Sequence, residues 1–353
     1  MRAEEGGAAQ PSARSLLVTG AAGYVGRQLI EALAREPGGV ARIVATDLRA
    51  PPEGERLPGV VYETADVRSS DFEALLRRHA CDLVVHLAAV VTPGPGSTRA
   101  AEYEVDVVGT QRVVAGCLAA GVRALIYTSS GAAYGYHADN PEWLDEEAPL
   151  RGNPEFAYAD HKRQVEELLA RARRAHPELR QLVFRVATIL GARADNQITR
   201  LFDGRFVLGV AGSTAPFVLI WDEDVVGAIL HGIRGGGAGV FNLAGDGTLS
   251  LREMARRLGK PYLAVPPVLL ALGLRAGRRL GLTAYGPEQL GFLRYRPVLA
   301  NRRLKNEFGY VPRKRTSEVF DAFVAARQAR DRAAQPRSRD RAAQPRSRGR
   351  AAR

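Results

Sequence analysis

The feature that most constrains this chain is a short run near its start, Thr19-Gly20-Ala21-Ala22-Gly23-Tyr24-Val25-Gly26. It follows an apolar segment, Ser15–Thr19, that reads as a buried strand. It opens a second segment, Tyr24–Arg35, whose apolar spacing reads as a helix. Between a strand and a helix the three glycines have separate uses. Gly20 permits a tight turn, Gly23 lets the backbone approach a pyrophosphate, and Gly26 lets the helix pack closely on the sheet. The first residues of the helix, Tyr24 and Val25 among them, then offer backbone N–H groups and a positive dipole end to phosphate oxygens. Glycines alone carry little weight in a chain that has 37 of them; their placement gives the signal its strength.

The same alternation continues through the first half. Arg42–Thr46, Val60–Glu63, Asp82–Leu87, Ala124–Thr128 and Gln181–Val186 read as strands. Phe72–His79, Ala101–Ala120 and Ala157–His176 read as helices. The strands are apolar throughout rather than alternating, as expected when helices cover both faces of a parallel sheet. The expected fold class is therefore α/β, a Rossmann-type doubly wound parallel sheet with a smaller C-terminal lobe. Residues 14–188 form the nucleotide-binding domain and 217–243 return to it. Residues 189–216 and 244–325 form a substrate lobe, flanked by disordered segments at 1–13 and 326–353. Within the lobe, Ala264–Leu280 is apolar and then basic; it reads as a helix covering the substrate pocket, with an interfacial membrane helix as the minor alternative.

Asp47 ends the second strand about 20 residues after the glycines, where an acid commonly hydrogen-bonds an adenosine ribose. A carboxylate there repels a 2′-phosphate, so NAD is favoured over NADP, although Arg49 softens that preference and a plain turn role is open. Asp66-Val67 follows the third strand; Asp66 can accept from an adenine amino group or serve the turn. Tyr158 and Lys162 are four apart at the start of a helix and project from one face. A free phenol titrates near 10, and a neighbouring ammonium favours the phenolate. Tyr158 can then exchange a proton with a substrate oxygen while a nicotinamide exchanges hydride. Thr128-Ser129-Ser130 sits at the carboxyl end of the fifth strand, where open α/β sheets bind ligands. His86 reads as a core histidine, Tyr134 as a packing aromatic, and His161 as lying on another helix face from the pair.

Charge adds little. The net charge is +12, but eight Arg and two Asp between Asp331 and Arg353 place +6 of it in the last 23 residues. There the segment DRAAQPRSR occurs twice in succession. It holds no aromatic residue for base stacking, so specific nucleic-acid binding is not expected. Cys81 and Cys117 lack ligand-like spacing, so no metal site is expected and a reducing cytoplasm fits. No apolar run reaches the roughly 20 residues of a membrane span.

Together these pieces resemble the extended short-chain dehydrogenase/reductase superfamily, in its NAD-dependent epimerase/dehydratase-like group. The matching elements are TGAAGYVG (19–26), Asp47, Asp66-Val67, HLAA (86–89), TSSGAAYG (128–135), YADHK (158–162), Arg185 and NLAG (242–245). The resemblance implies that Tyr158 is the acid/base, that Lys162 is its activator and a ribose ligand, and that Ser130 orients the substrate. It implies cofactor contacts at Gly20, Gly23, Gly26, Asp47 and Asp66, with backbone of Leu87, Ala88 and Ala89 lining the groove. It also implies a homodimer built on the two long helices. Asp106 stands where the family usually has Asn. The segment Gly212–Phe217 lacks the Arg that commonly holds a nucleotide sugar's diphosphate, leaving Arg200, Arg205 or Arg294 as substitutes. The expected activity is NAD(P)-dependent, reversible hydride transfer to a small-molecule alcohol or carbonyl. The alternatives are a sugar-nucleotide epimerase and a non-catalytic nucleotide-binding scaffold.

Overall fold

A computed structural model describes residues 14–334 apart from 70, 95, 214, 215, 236, 282–285, 287 and 288. The expected disorder at 1–13 and 335–353, and part of the Gly212–Phe217 segment, lie outside the described residues. Apolar runs and glycine turns set the first half as anticipated. The order is β1 (Arg14–Thr19), α1 (Tyr24–Arg35), β2 (Val40–Asp47), β3 (Val60–Thr64), α2 (Phe72–Arg78), β4 (Leu83–His86), α3 (Arg99–Tyr103), α4 (Gly109–Ala120), β5 (Ala124–Ser130), α5 (Ala157–Ala175) and β6 (Arg180–Val186). A π-helical turn over Glu104–Val108 joins α3 to α4, so the single helix expected over 101–120 is present with a local widening. In the second half follow β7 (Thr188–Leu190), α6 (Gln197–Arg200), β8 (Val207–Val210), β9 (Leu219–Trp221), α7 (Asp222–Gly235), β10 (Gly239–Leu243), α8 (Leu251–Arg257), β11 (Tyr262–Val265), α9 (Pro267–Arg279), α10 (Gln289–Arg294), α11 (Arg302–Asn306) and α12 (Thr316–Ala334).

The main sheet has seven strands in the order β10-β6-β5-β4-β1-β2-β3, and every neighbouring pair is parallel. From β1 the chain moves outward to β2 and β3, then crosses back to place β4 on the other side of β1. This reversal makes the carboxyl ends of β1 and β4 the topological switch point, the place where such sheets bind ligands. One core packs α1 and α7 on the sheet, with Leu29, Leu33, Val225 and Ile229 against Leu16, Val18, Val85 and Phe184. The opposite core packs α2, α4 and α5 through Leu76, Val113, Cys117, Val165 and Leu169.

The segment 217–243 returns to this domain through α7 and β10, but β9 does not. It pairs with β7 in a separate two-stranded sheet, while β8 pairs with β11. The lobe has its own core, in which Phe202, Phe217, Trp221, Met254, Phe320 and Phe323 meet. One sequence expectation is corrected here. Helix α12 runs on to Ala334, so a boundary at residue 326 falls inside a helix. Helix α9 forms as expected, and none of its residues is buried.

Candidate active site

The glycine turn is built as its residues require. Gly20 leaves β1 with φ +67°, and a Cβ there would stand 2.6 Å from the Ala88 nitrogen and 2.8 Å from the Leu87 carbonyl carbon. The ends of β1 and β4 therefore touch through bare backbone. The Leu87 and Ala88 amides both donate to the Thr19 hydroxyl, and Ala89 lies half-buried beside them. Gly23 is the N-cap of α1 with extended backbone, and no side chain caps the helix; its first turn contains no acid. The amides of Tyr24, Val25 and Gly26 have no acceptor within the helix. An uncapped helix start beside a side-chain-free turn fits a pyrophosphate. Gly26 differs from expectation in its partner. A Cβ there would lie 2.2 Å from the Gly20 carbonyl oxygen and 2.8 Å from the Ala21 Cα, so it closes the helix on the turn itself rather than on the sheet.

The other cofactor candidates are placed as follows. Asp47 accepts from the Ala22 amide at 2.9 Å and from the Leu48 amide at 2.8 Å. It clamps the glycine turn and retains lone pairs for a further donor. Asp66 is held by Arg68, whose guanidinium reaches it at 2.6 Å; that pairing draws its carboxyl below the usual range. Val67 is buried under α4, where a Cβ on Gly109 would meet its methyl at 2.8 Å. Val25 packs against the first core. The Tyr24 side chain is turned away from the turn, donating to Asp222 at the start of α7 at 2.5 Å. Only the backbone of Tyr24 is therefore left to the turn.

The residues that the sequence singles out for the chemistry converge at the end of β5. The Ser130 hydroxyl accepts from the Ala132 amide at 3.1 Å. Tyr158, half-buried at the start of α5, lies against it. Burial pushes the Tyr158 phenol up to about 12, and hydrogen bonding to Ser130 offsets part of this rise. Lys162 is almost fully buried, its Nζ donating to the Tyr127 hydroxyl at 2.9 Å and to the Thr128 carbonyl at 3.1 Å. It stands 5.9 Å from the Tyr158 ring centroid. Burial lowers the Lys162 ammonium, and Asp106 and Glu166 work against that. The expectation that Lys162 lowers the phenol is not met in this arrangement, because desolvation dominates and the ammonium is already occupied.

Beneath the pair lies a buried polar floor. Arg185 on β6 donates to both Glu166 oxygens, to the Tyr134 hydroxyl and to the Glu146 carbonyl. Ser129 also donates to Glu166, at 2.6 Å. Tyr134 thus joins a hydrogen-bond network instead of serving only as packing. His86 is wholly buried between the Thr19 and Thr110 hydroxyls. Burial pushes it down to about 3, with Lys162 adding to the effect, so it is a neutral core histidine as expected.

Two features of the site arise only from the packing. Asp106, on the π-turn, accepts from the Val90 amide at 2.8 Å and pairs with His161 Nδ1 at 3.3 Å. His161 Nε2 has no partner among the described residues. The i, i+1 placement of His161 and Lys162 hid this contact, which arises across helices. The second is Arg296, 9% exposed, whose Nε and Nη2 have no partner among the described residues. Its guanidinium is sandwiched 3.7 Å from the Phe217 ring and 3.8 Å from the Phe292 ring. Phe292 packs on Tyr136 and Phe156, and Phe156 on Tyr158. Of the substitutes named from sequence, Arg200 pairs with Asp195, Arg205 is exposed, and Arg294 lies over Tyr295.

With this geometry in view, the family is clear. Residues 16–215 match the NAD dependent epimerase/dehydratase family, and the chain belongs to it. An uncharacterized protein of Mycobacterium tuberculosis, Rv0501, is 28% identical over 315 residues, covering 88% of this chain and 84% of that one. A UDP-glucose 4-epimerase of Azospirillum brasilense is 27% identical over 327 residues, covering 84% and 87%. Among solved structures, MoeE5 in complex with UDP-glucose and NAD is 25% identical with a TM-score of 0.67, covering 90% of this chain and 99% of that one.

Proposed function

We propose that this protein is an NAD-dependent oxidoreductase that moves hydride reversibly between the nicotinamide and a secondary alcohol or carbonyl. The convergence of Ser130, Tyr158 and Lys162 at the end of β5, beside the uncapped start of α1, carries this reading. Bound NAD supplies the hydride acceptor or donor. The α1 amides and the Gly20–Gly26 turn hold its diphosphate, and Asp47 accepts from the adenosine ribose, which favours NAD over NADP. Asp66, if it reaches adenine, does so alongside its bond to Arg68. Lys162 contributes a fixed positive charge under the reacting group. Ser130 orients the substrate oxygen, and Tyr158 gives or takes the proton there. Burial keeps the Tyr158 phenol protonated through neutral pH, so the proton needed at a carbonyl oxygen as hydride arrives is in place.

A second reading, sugar-nucleotide epimerisation, is favoured by Arg296. A buried cation with two donors unpaired among the described residues suits an anionic substrate group, and it supplies the charge that the 212–217 segment lacks. The test uses NAD-loaded protein with UDP-glucose, and in parallel a panel of secondary alcohols, following nicotinamide absorbance and sugar products by NMR. Turnover of an alcohol without UDP-glucose conversion supports the first reading, and interconversion of the sugar supports the second. In both, Tyr158→Phe is expected to lower turnover about 10²–10⁴-fold while NAD still binds. Unchanged turnover in that variant sinks both catalytic readings. Tyr158-dependent turnover of any kind eliminates a non-catalytic scaffold.

A further inference from the structure

Helix α9 and the edge beside it carry none of the site residues described above. Helix α9 presents Val268, Leu269 and Leu272 at 69%, 59% and 54% exposure, and Leu280 just past its end at 71%. Its inner side, Leu270, Ala271 and Leu274, is only half-buried. The β8–β11 ribbon leading into it pairs Leu208 with Leu263, and both are exposed, as is Phe206. Isolated exposed apolar side chains are ordinary; seven of them on and beside the paired strands β8 and β11 and the helix that follows are not.

The charge pattern identifies the occupant. Val268, Leu272, Arg275 and Arg279 fall at helical spacing on one stripe, apolar in its first half and cationic in its second. Between Leu258 and Pro287 the sequence holds Lys260, Arg275, Arg278 and Arg279 and no Asp or Glu. Arg275 and Arg279 form no ion pair among the described residues. A helix of 13 residues extends only about 20 Å, and none of the described helices is long and apolar enough to cross a membrane. A short helix with an apolar face, flanking arginines and no acid is built to lie in a lipid interface.

We propose that α9, with the exposed edge of the β8–β11 ribbon, docks this protein on an anionic lipid surface. Leu269, Leu272 and Leu280 enter the acyl boundary, and Arg275 and Arg279 meet headgroup phosphates. The same lobe carries Phe292 on α10, which packs through Phe156 towards Tyr158, so docking sets the substrate side of the site beside the membrane.

The test is sedimentation of the full-length protein with vesicles of phosphatidylcholine alone or with phosphatidylglycerol, together with light scattering for oligomeric state. The wild type is expected to bind the anionic vesicles, more weakly as salt rises, and to bind neutral vesicles far less. The double substitution Leu269→Gln and Leu272→Gln is expected to reduce binding at least tenfold with melting temperature unchanged, because both positions are exposed. Arg275→Glu with Arg279→Glu is expected to do the same. Binding that survives both variants, carried by the arginine-rich C-terminal segment instead, overturns the proposal. So does absence of vesicle binding, or a wild-type dimer that the leucine variant converts to monomer, which would assign the face to a second copy of this chain.

Discussion

Glu166→Gln removes the negative half of the buried floor while keeping its shape. Arg185 and Glu166 are 7% and 4% exposed at their side chains, with the closest approach 2.8 Å. The wild-type carboxylate takes three of the guanidinium's contacts and the Ser129 hydroxyl. After substitution the Arg185 charge faces only neutral acceptors: the glutamine carbonyl oxygen, the Tyr134 hydroxyl and the Glu146 carbonyl. Leaving a buried charge without its counter-ion costs about 3–5 kcal/mol. For a chain of this size that corresponds to a melting temperature about 6–10 °C lower, at roughly 2 °C per kcal/mol. Thermal unfolding followed by circular dichroism measures it. Adding Arg185→Gln to the same chain removes the orphaned charge, so the double variant should lose about 1 kcal/mol or more less than the sum of the two singles. A Glu166→Gln protein melting within about 2 °C of wild type, or strictly additive losses, would refute the reasoning that this pair is a coupled buried unit.

Other consequences are open to measurement. Gly20→Ala places a methyl within 3 Å of the Leu87 and Ala88 backbone in a left-handed conformation; a stability loss of about 2–5 kcal/mol and weakened NAD binding are expected in unfolding and calorimetric titrations. Asp106→Asn removes a charge that supports the Lys162 ammonium, so the alkaline limb of the pH–rate profile should move to lower pH, and an unmoved limb would separate Asp106 from the reacting pair. Since Tyr158 is protonated up to about 12, alcohol oxidation should accelerate with rising pH while carbonyl reduction changes little through neutrality; the opposite trend would assign the proton to another group.

The parallel half of this fold was legible because it is written locally. Strands buried on both faces read as unbroken apolar runs, and the turn after β1 needs glycine for reasons of backbone geometry. The register of β1 against β4 could be inferred only through Gly20, whose missing Cβ marks the contact. The lobe was less legible because its short strands choose partners by packing, not by their own sequence. Nothing within Leu219–Trp221 distinguishes pairing with β7 from joining the main sheet. Arg296 was hidden for a similar reason, since its environment comes from Phe217 and Phe292, of which the first lies far away in sequence. The apolar spacing of α9 predicts its helix but not its surroundings, because amphipathic spacing reports that a face exists and not what it meets. Desolvation of Tyr158 was likewise invisible: the i, i+4 pairing with Lys162 was correct, but the balance between burial and a neighbouring charge depends on the surrounding shell.

The carboxyl ends of β1 and β4 should bind a nicotinamide dinucleotide, with preference for the form without a 2′-phosphate. Calorimetric titration of the purified protein, stripped of nucleotide, with NADH and then NADPH measures this. One NADH per chain is expected, bound more tightly than NADPH, with the preference reduced by Asp47→Asn. Binding of neither nucleotide, or tighter binding of NADPH, would contradict it.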